Sequence, residues 1–200
     1  MKLFDLGLAA LLVTHALPDQ APSPRALLES GKYQEAVETV AGTDESSPMD
    51  VYVGALAAQR LQQGDRAREM FDRLRASQGE DSPWGFIAAS GAAQLSGDPA
   101  GALEQARKAT QLAGSEFATQ YQLGAVLYQM ERFGEAAAAL SKATQIDPNF
   151  AYAHFYAGTA YQKDKRLDKT SEHFEAFLRL APSAPEAPAV QSIMRTLRGR

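Results

Sequence analysis

The chain is organised around residues 117–148, whose sequence is FATQYQLGAVLYQMERFGEAAAALSKATQIDP. Apolar residues recur three and four positions apart on each side of a short break, which is the spacing of one helix face. The break is the segment MERFGE at 130–135, and Asp147-Pro148 closes the second helix because proline cannot continue one. This stretch therefore predicts two amphipathic helices joined by a turn.

The same pattern returns 34 positions further along the chain (158 − 124). The glycine, two large apolar residues and the closing proline all recur at this interval, as Gly124 and Gly158, Phe133 and Leu167, Leu140 and Phe174, and Pro148 and Pro182. A two-helix unit that repeats at about 34 residues indicates a helical-repeat solenoid, in which each helix pair stacks on the next.

The repeated residues resemble the tetratricopeptide repeat (TPR) pattern of small residues, large apolar residues and a closing proline. The resemblance rests on Leu123-Gly124, Ala136, Leu140, Ala143 and Pro148. It implies an all-α fold, a right-handed superhelical solenoid of paired antiparallel helices. A partial repeat is expected at 25–47, followed by repeats at about 48–82, 83–116, 117–150 and 151–184.

A capping helix is predicted at residues 186–198, which completes a helical-repeat domain at 25–200. Its apolar residues fall on one face at helical spacing, as Val190, Ile193, Met194 and Leu197. Polar residues occupy the other face. Such a helix covers the apolar face of the last repeat and presents a polar face to water.

The N-terminal residues 1–16 have the order of a secretory signal peptide. Lys2 gives a positive end, an apolar run covers residues 6–13, and small residues follow before a proline-rich linker at 17–24. We expect cleavage near Ala16, export to the bacterial periplasm and no stable membrane span afterwards. The alternatives are an uncleaved membrane anchor and an N-terminal helix that packs on the first repeat of a cytoplasmic protein.

Composition restricts the classes of function. The net charge of −4 argues against non-specific nucleic-acid binding, which needs a basic surface. The absence of cysteine excludes thiolate catalysis and cysteine metal sites. No catalytic or nucleotide-binding motif occurs, and His154 and His173 with Glu172 suit packing or surface roles better than a metal site. We therefore predict no enzyme activity, no metal and no cofactor.

The resemblance places the first helix of each pair on the concave side of the solenoid. The inward positions are rich in aromatic and amide side chains, which anchor partners and bond to extended backbones. Some of the aromatic residues are expected to be core. The predicted binding groove consists of Tyr52, Gln59, Trp84, Gln94, Tyr121, Tyr128, Gln129, Tyr152, Phe155 and Gln162.

The resemblance implies a protein–protein interaction scaffold that binds a peptide or a partner helix in this groove. A chaperone's C-terminal carboxylate is a poor candidate ligand, because Arg60 and Lys163 are the only cations at the inward positions. The alternative is a self-assembling module of an envelope complex, a homo-oligomer whose groove is filled by its own N-terminal segment or by another copy. The sequence does not identify the partner.

Overall fold

The computed structural model describes residues 21–43 and 46–199, and every regular element in these ranges is an α-helix. The elements are α1 (Pro24–Glu29), α2 (Tyr33–Ala41), α3 (Pro48–Arg60), α4 (Gly64–Gln78), α5 (Pro83–Leu95), α6 (Pro99–Ala113), α7 (Phe117–Gln129), α8 (Phe133–Ile146), α9 (Ala151–Lys163), α10 (Leu167–Leu180) and α11 (Ala187–Arg198). Consecutive helices pack on one another along the chain, as predicted for a solenoid of paired helices. The predicted signal peptide, at 1–16, lies outside the described residues.

Four helices begin with a capping side chain followed by proline. Ser23, Ser47, Ser82 and Asp98 each accept a hydrogen bond from the backbone N–H three residues later, at the starts of α1, α3, α5 and α6. Proline fits the first helical position because the N–H that it lacks has no partner there. For the same reason Pro24, which the sequence placed in the linker, is the first residue of α1.

Each helix pair turns through one residue in the left-handed region. The values of φ lie between 59° and 78° at these residues, which are Gly31, Gln62, Gly97, Glu131 and Lys165. At each turn the N–H of the next residue bonds to a carbonyl five positions back, as from Arg132 to Leu127. This is the Schellman motif, which satisfies the last carbonyls of the first helix.

Glycine allows close approach within the two best-matched pairs. A Cβ on Gly124 would lie 2.5 Å from Leu140 Cγ, and a Cβ on Gly158 would lie 2.6 Å from Phe174 Cδ1. The third pair achieves the same proximity with alanines on α6, because Ala102, Ala106 and Ala109 are fully buried. At the C-terminus, α11 packs on α10 and buries Val190 and Met194.

Candidate protein-interaction surface

The structure brings the six predicted aromatic residues into one cluster across α3, α5, α7 and α9. Ring centroids 6.0 to 6.3 Å apart link Trp84 to Tyr52, Tyr52 to Tyr121, and Tyr121 to Tyr156. Tyr156 then contacts Tyr128 and Phe155, and Phe155 contacts Tyr152. We call these seven residues the aromatic cluster: Tyr52, Trp84, Tyr121, Tyr128, Tyr152, Phe155 and Tyr156. The sequence did not single out Tyr156, which joins the two halves of the cluster.

Burial divides the aromatic cluster into a floor and a rim. Tyr52, Tyr121 and Tyr152 are 0%, 3% and 1% exposed, so these three predicted contact residues belong to the core in this structure. Helix α3 reaches α7 through the contact between the Tyr52 and Tyr121 rings, and it reaches α9 through Arg60, which lies over the Tyr152 ring. Trp84, Tyr128 and Phe155 keep part of their surface accessible and form the rim.

Buried amide groups hold the floor together. The Tyr52 hydroxyl donates to Gln122 Oε1 at 2.8 Å, and Gln122 Nε2 donates to Ser90 Oγ at 3.0 Å and to Gln94 Oε1 at 2.7 Å. Gln94 Nε2 in turn donates to Gln129 Oε1 at 2.8 Å. Burial raises the pKa of both Tyr52 and Tyr121, so both hydroxyls stay protonated.

The four predicted glutamines therefore differ in whether their side-chain amides are already hydrogen-bonded. Gln94 and Gln129 are bonded to each other, although Gln129 is itself exposed. Gln59 and Gln162 are partly exposed, and their side chains have no hydrogen-bond partner within the described ranges. Gln122, which the sequence did not single out, is the hub of the buried network.

A second group of polar residues ties the first full repeat to the C-terminal cap. Arg60 of α3 forms an ion pair with Glu186, which precedes α11, and its guanidinium lies 4.4 Å from the centroid of the Tyr152 ring. The Tyr152 hydroxyl donates to Glu186 Oε2 at 2.8 Å and lies 2.9 Å from the Tyr33 hydroxyl. Arg60 is consequently not an unpaired inward cation.

Helix α1 contacts the segment that leads into α9. Arg25 Nη1 lies 2.7 Å from Asp147 Oδ2, and its guanidinium lies 4.8 Å from the centroid of the Phe150 ring. Glu29 Oε1 accepts a hydrogen bond from Ala151 N at 2.8 Å. These contacts join residues more than a hundred positions apart, which explains why a local repeat pattern did not reveal them.

A cavity of about 180 Å³ lies beneath α1, against the aromatic cluster. Its walls are Leu28, Leu56, Gln59, Arg60, Tyr121, Tyr152 and Tyr156. The hydroxyls of Tyr121 and Tyr156 have no hydrogen-bond partner in the described part of the chain. The space thus combines an apolar wall from α1 with hydrogen-bond donors from α3, α7 and α9.

The two described histidines pair with each other. His154 Nδ1 and His173 Nδ1 are 3.2 Å apart, His154 Nε2 lies 3.1 Å from the Pro148 carbonyl, and His173 Nε2 lies 3.4 Å from Ser141 Oγ. Burial, with a contribution from His154, lowers the pKa of His173 to about 4. Across residues 21–43 and 46–199, no three His, Cys, Asp or Glu side chains are grouped to hold a metal ion.

None of the helices in the described ranges has the length and apolar character needed to cross a membrane.

Comparison with known proteins identifies the repeat. Residues 124–165 match the sequence model of the TPR repeat. No curated protein matches the chain.

Solved structures show the same fold. TTC0263, a thermophilic TPR protein of Thermus thermophilus, is 18% identical with a TM-score of 0.60, covering 88% of this chain and 96% of that one. YrrB, described as a TPR protein with an unusual peptide-binding site, is 20% identical with a TM-score of 0.53, covering 84% and 88%. The first TPR of Spaghetti (RPAP3), bound to an HSP90 peptide, is 14% identical with a TM-score of 0.52, covering 59% and 94%. Residues 124–165 therefore match one TPR repeat, and they lie inside a solenoid with the fold of these structures.

Proposed function

We propose that the protein is a non-enzymatic scaffold that binds a peptide or a partner helix on the concave side of its solenoid. The observation that carries the proposal is the rim of the aromatic cluster, where Trp84, Tyr128 and Phe155 stay partly accessible beside a buried floor. Two structural neighbours point the same way, since YrrB is described with a peptide-binding site and the TPR of Spaghetti with a bound peptide.

The chemistry of the rim suits apolar anchors and backbone hydrogen bonds. Aromatic side chains give a large contact area and lose little conformational entropy on binding. The amides of Gln59 and Gln162 supply donors and acceptors that no described residue uses. Arg60 is paired with Glu186, which leaves Lys163 as the one remaining inward cation, so we do not expect the partner to be recognised through a terminal carboxylate.

Self-assembly is the second candidate function. The bonds from α1 to Asp147 and Ala151 would link two molecules if they formed between copies instead of within one. Sedimentation velocity over a hundredfold concentration range distinguishes the two. A concentration-dependent dimer favours the assembly module, and a constant monomer favours the scaffold.

We also propose that the protein is exported to the bacterial periplasm after cleavage near Ala16; its alternatives are a cytoplasmic location and retention by an N-terminal anchor. N-terminal sequencing of protein purified from its native cells tests this. Recovery of an intact Met1 from the cytosol would refute export.

The binding function is tested by affinity capture from native cells with the wild-type chain and two variants. Tyr128→Ala removes a rim side chain that is not part of the floor. Leu112→Ala is the matched control, because it removes an exposed apolar side chain (59% exposed) from α6, away from the rim. We expect the wild type and the control to retain the same partner and Tyr128→Ala to lose it. Equal capture by all three would place the binding surface elsewhere.

A further inference from the structure

Helix α9 depends on α1 for its N-terminal cap. Its N-cap residue, Phe150, cannot supply a side-chain hydrogen bond, unlike Ser23, Ser47 and Ser82 at the starts of α1, α3 and α5. The carboxylate of Glu29 accepts the Ala151 N–H instead. A negative group is favourable at this position because the helix dipole is positive there.

The other contacts of α1 follow a fixed order along its sequence. Arg25 lies between Asp147 and the Phe150 ring, Leu27 and Leu28 are 3% and 1% exposed, and Glu29 reaches Ala151. Along α1 the order is therefore a cation, two adjacent apolar side chains and a carboxylate. The surroundings are complementary, since they offer a carboxylate, an aromatic surface and the N-terminus of a helix. Complementarity of this kind is typical of a bound peptide ligand, although α1 belongs to the same chain.

Helix α1 does not completely fill the site that it occupies. We call this site the seat; it consists of Asp147, the Phe150 ring, Ala151 and the cavity beside Leu28. Leu28 contributes to the wall of the 180 Å³ cavity, which extends past it to Tyr121 and Tyr156. The helix itself has only six residues, and helices of this length are not stable alone in water. Both side chains of the Arg25–Asp147 pair keep about a quarter of their surface exposed, at 28% and 26%, so water competes for that contact.

We propose that α1 is a built-in competitor for this seat, and that a partner protein displaces it with a short helical segment of the same order: a cation, two apolar residues and a carboxylate. The inference rests on the proposed scaffold function and extends it, because it specifies the chemistry of the partner. A side chain larger than leucine at the position of Leu28 fills more of the cavity and binds more tightly.

The test uses the full chain and a fluorescent synthetic peptide of residues 21–36. Arg25→Ala with Glu29→Ala weakens the internal segment. Lys32→Ala with Glu35→Ala is the matched control, since it removes an equally charged ion pair that is exposed and makes no contact with α9. In anisotropy titrations we expect the first variant to bind the peptide at least tenfold more tightly than the wild type and the control. A peptide with Leu27→Ala and Leu28→Ala should not bind, and one with Leu28→Phe should bind more tightly than the natural sequence.

Hydrogen exchange on the wild type gives an independent readout that does not require the variant to fold. Amides of α1 should exchange at least tenfold faster than those of α7. Exchange at the same rate as α7, or a folded double variant that ignores the peptide, would overturn the proposal. Concentration-dependent dimers of the double variant that the peptide dissociates would also overturn it, by assigning the seat to a second copy. The proposed scaffold function is refuted by a different result, which is that the Tyr128→Ala variant captures the partner as well as the wild type does.

Discussion

Replacing Tyr52 by phenylalanine tests whether the floor of the aromatic cluster is closed in solution. The substitution keeps the ring and its contacts to Trp84 and Tyr121, and it removes one hydroxyl. Gln122 Oε1 then loses its donor, at a position where Gln122 is only 2% exposed. A buried acceptor without a partner costs about 1–3 kcal/mol, so we expect the free energy of unfolding to fall by that amount.

The matched control is Tyr161→Phe. Its hydroxyl lies 2.9 Å from Ser141 Oγ, but Ser141 is partly exposed and water can replace the lost bond. We expect this change to cost less than about 1 kcal/mol. The same substitution should therefore lower the free energy of unfolding by different amounts at the two positions, because the two hydroxyl groups differ in their access to water.

Urea unfolding followed by circular dichroism and by tryptophan fluorescence measures both variants. Trp84 is the only tryptophan of the chain and contacts Tyr52, so its emission reports on the floor itself. A Tyr52→Phe variant as stable as the wild type would refute the reasoning, because it would mean that water reaches the Tyr52 hydroxyl and that the concave side opens in solution.

Three further outcomes are expected from the same unfolding assay. Gly124→Leu should lower stability by about 1–3 kcal/mol, because even a Cβ there meets Leu140; an unchanged midpoint would place Gly124 at the surface. Lys165→Gly should raise stability by roughly 0.5–1 kcal/mol by relieving a φ of 64°, and Gly97→Ala should lower it by about 1 kcal/mol; equal effects of the same sign would contradict the turn geometry. Because burial lowers the pKa of His173 to about 4 from 6.5, the unfolded chain binds the proton first, so stability should fall as the pH drops from 6.5 towards 4. His173→Gln should flatten that part of the pH profile, and an unchanged profile would exclude His173 as its source.

The repeat architecture could be predicted because it depends on local spacing. Each pair needs one apolar face per helix, a turn and a small residue at the contact, and these features recur within 34 positions of each other (158 − 124). The helices α3, α5, α7 and α9 begin at residues 48, 83, 117 and 151.

The accessibility of the concave side could not be predicted in the same way. Whether Tyr121 is contact or core depends on the curvature of the whole solenoid, which sums small rotations over several repeats. The ion pairs of Arg25 and Arg60 join distant segments, and nothing in the local pattern marks Asp147 or Glu186 as their partners. The sequence therefore predicted which aromatic residues lie together, but it did not predict how deeply they are buried or which ion pairs form beside them.

The contacts between the two ends of the chain change how the protein should unfold. In an open solenoid each repeat senses only its neighbours, so terminal repeats can fray while the middle stays folded. Here the Arg60–Glu186 ion pair joins α3 directly to the residue before α11, so loosening one of these segments also loosens the other. Such long-range closure slows folding, since distant segments must meet before their contacts form. We therefore expect the segment from α3 to α11 to unfold as one unit, as a compact domain does.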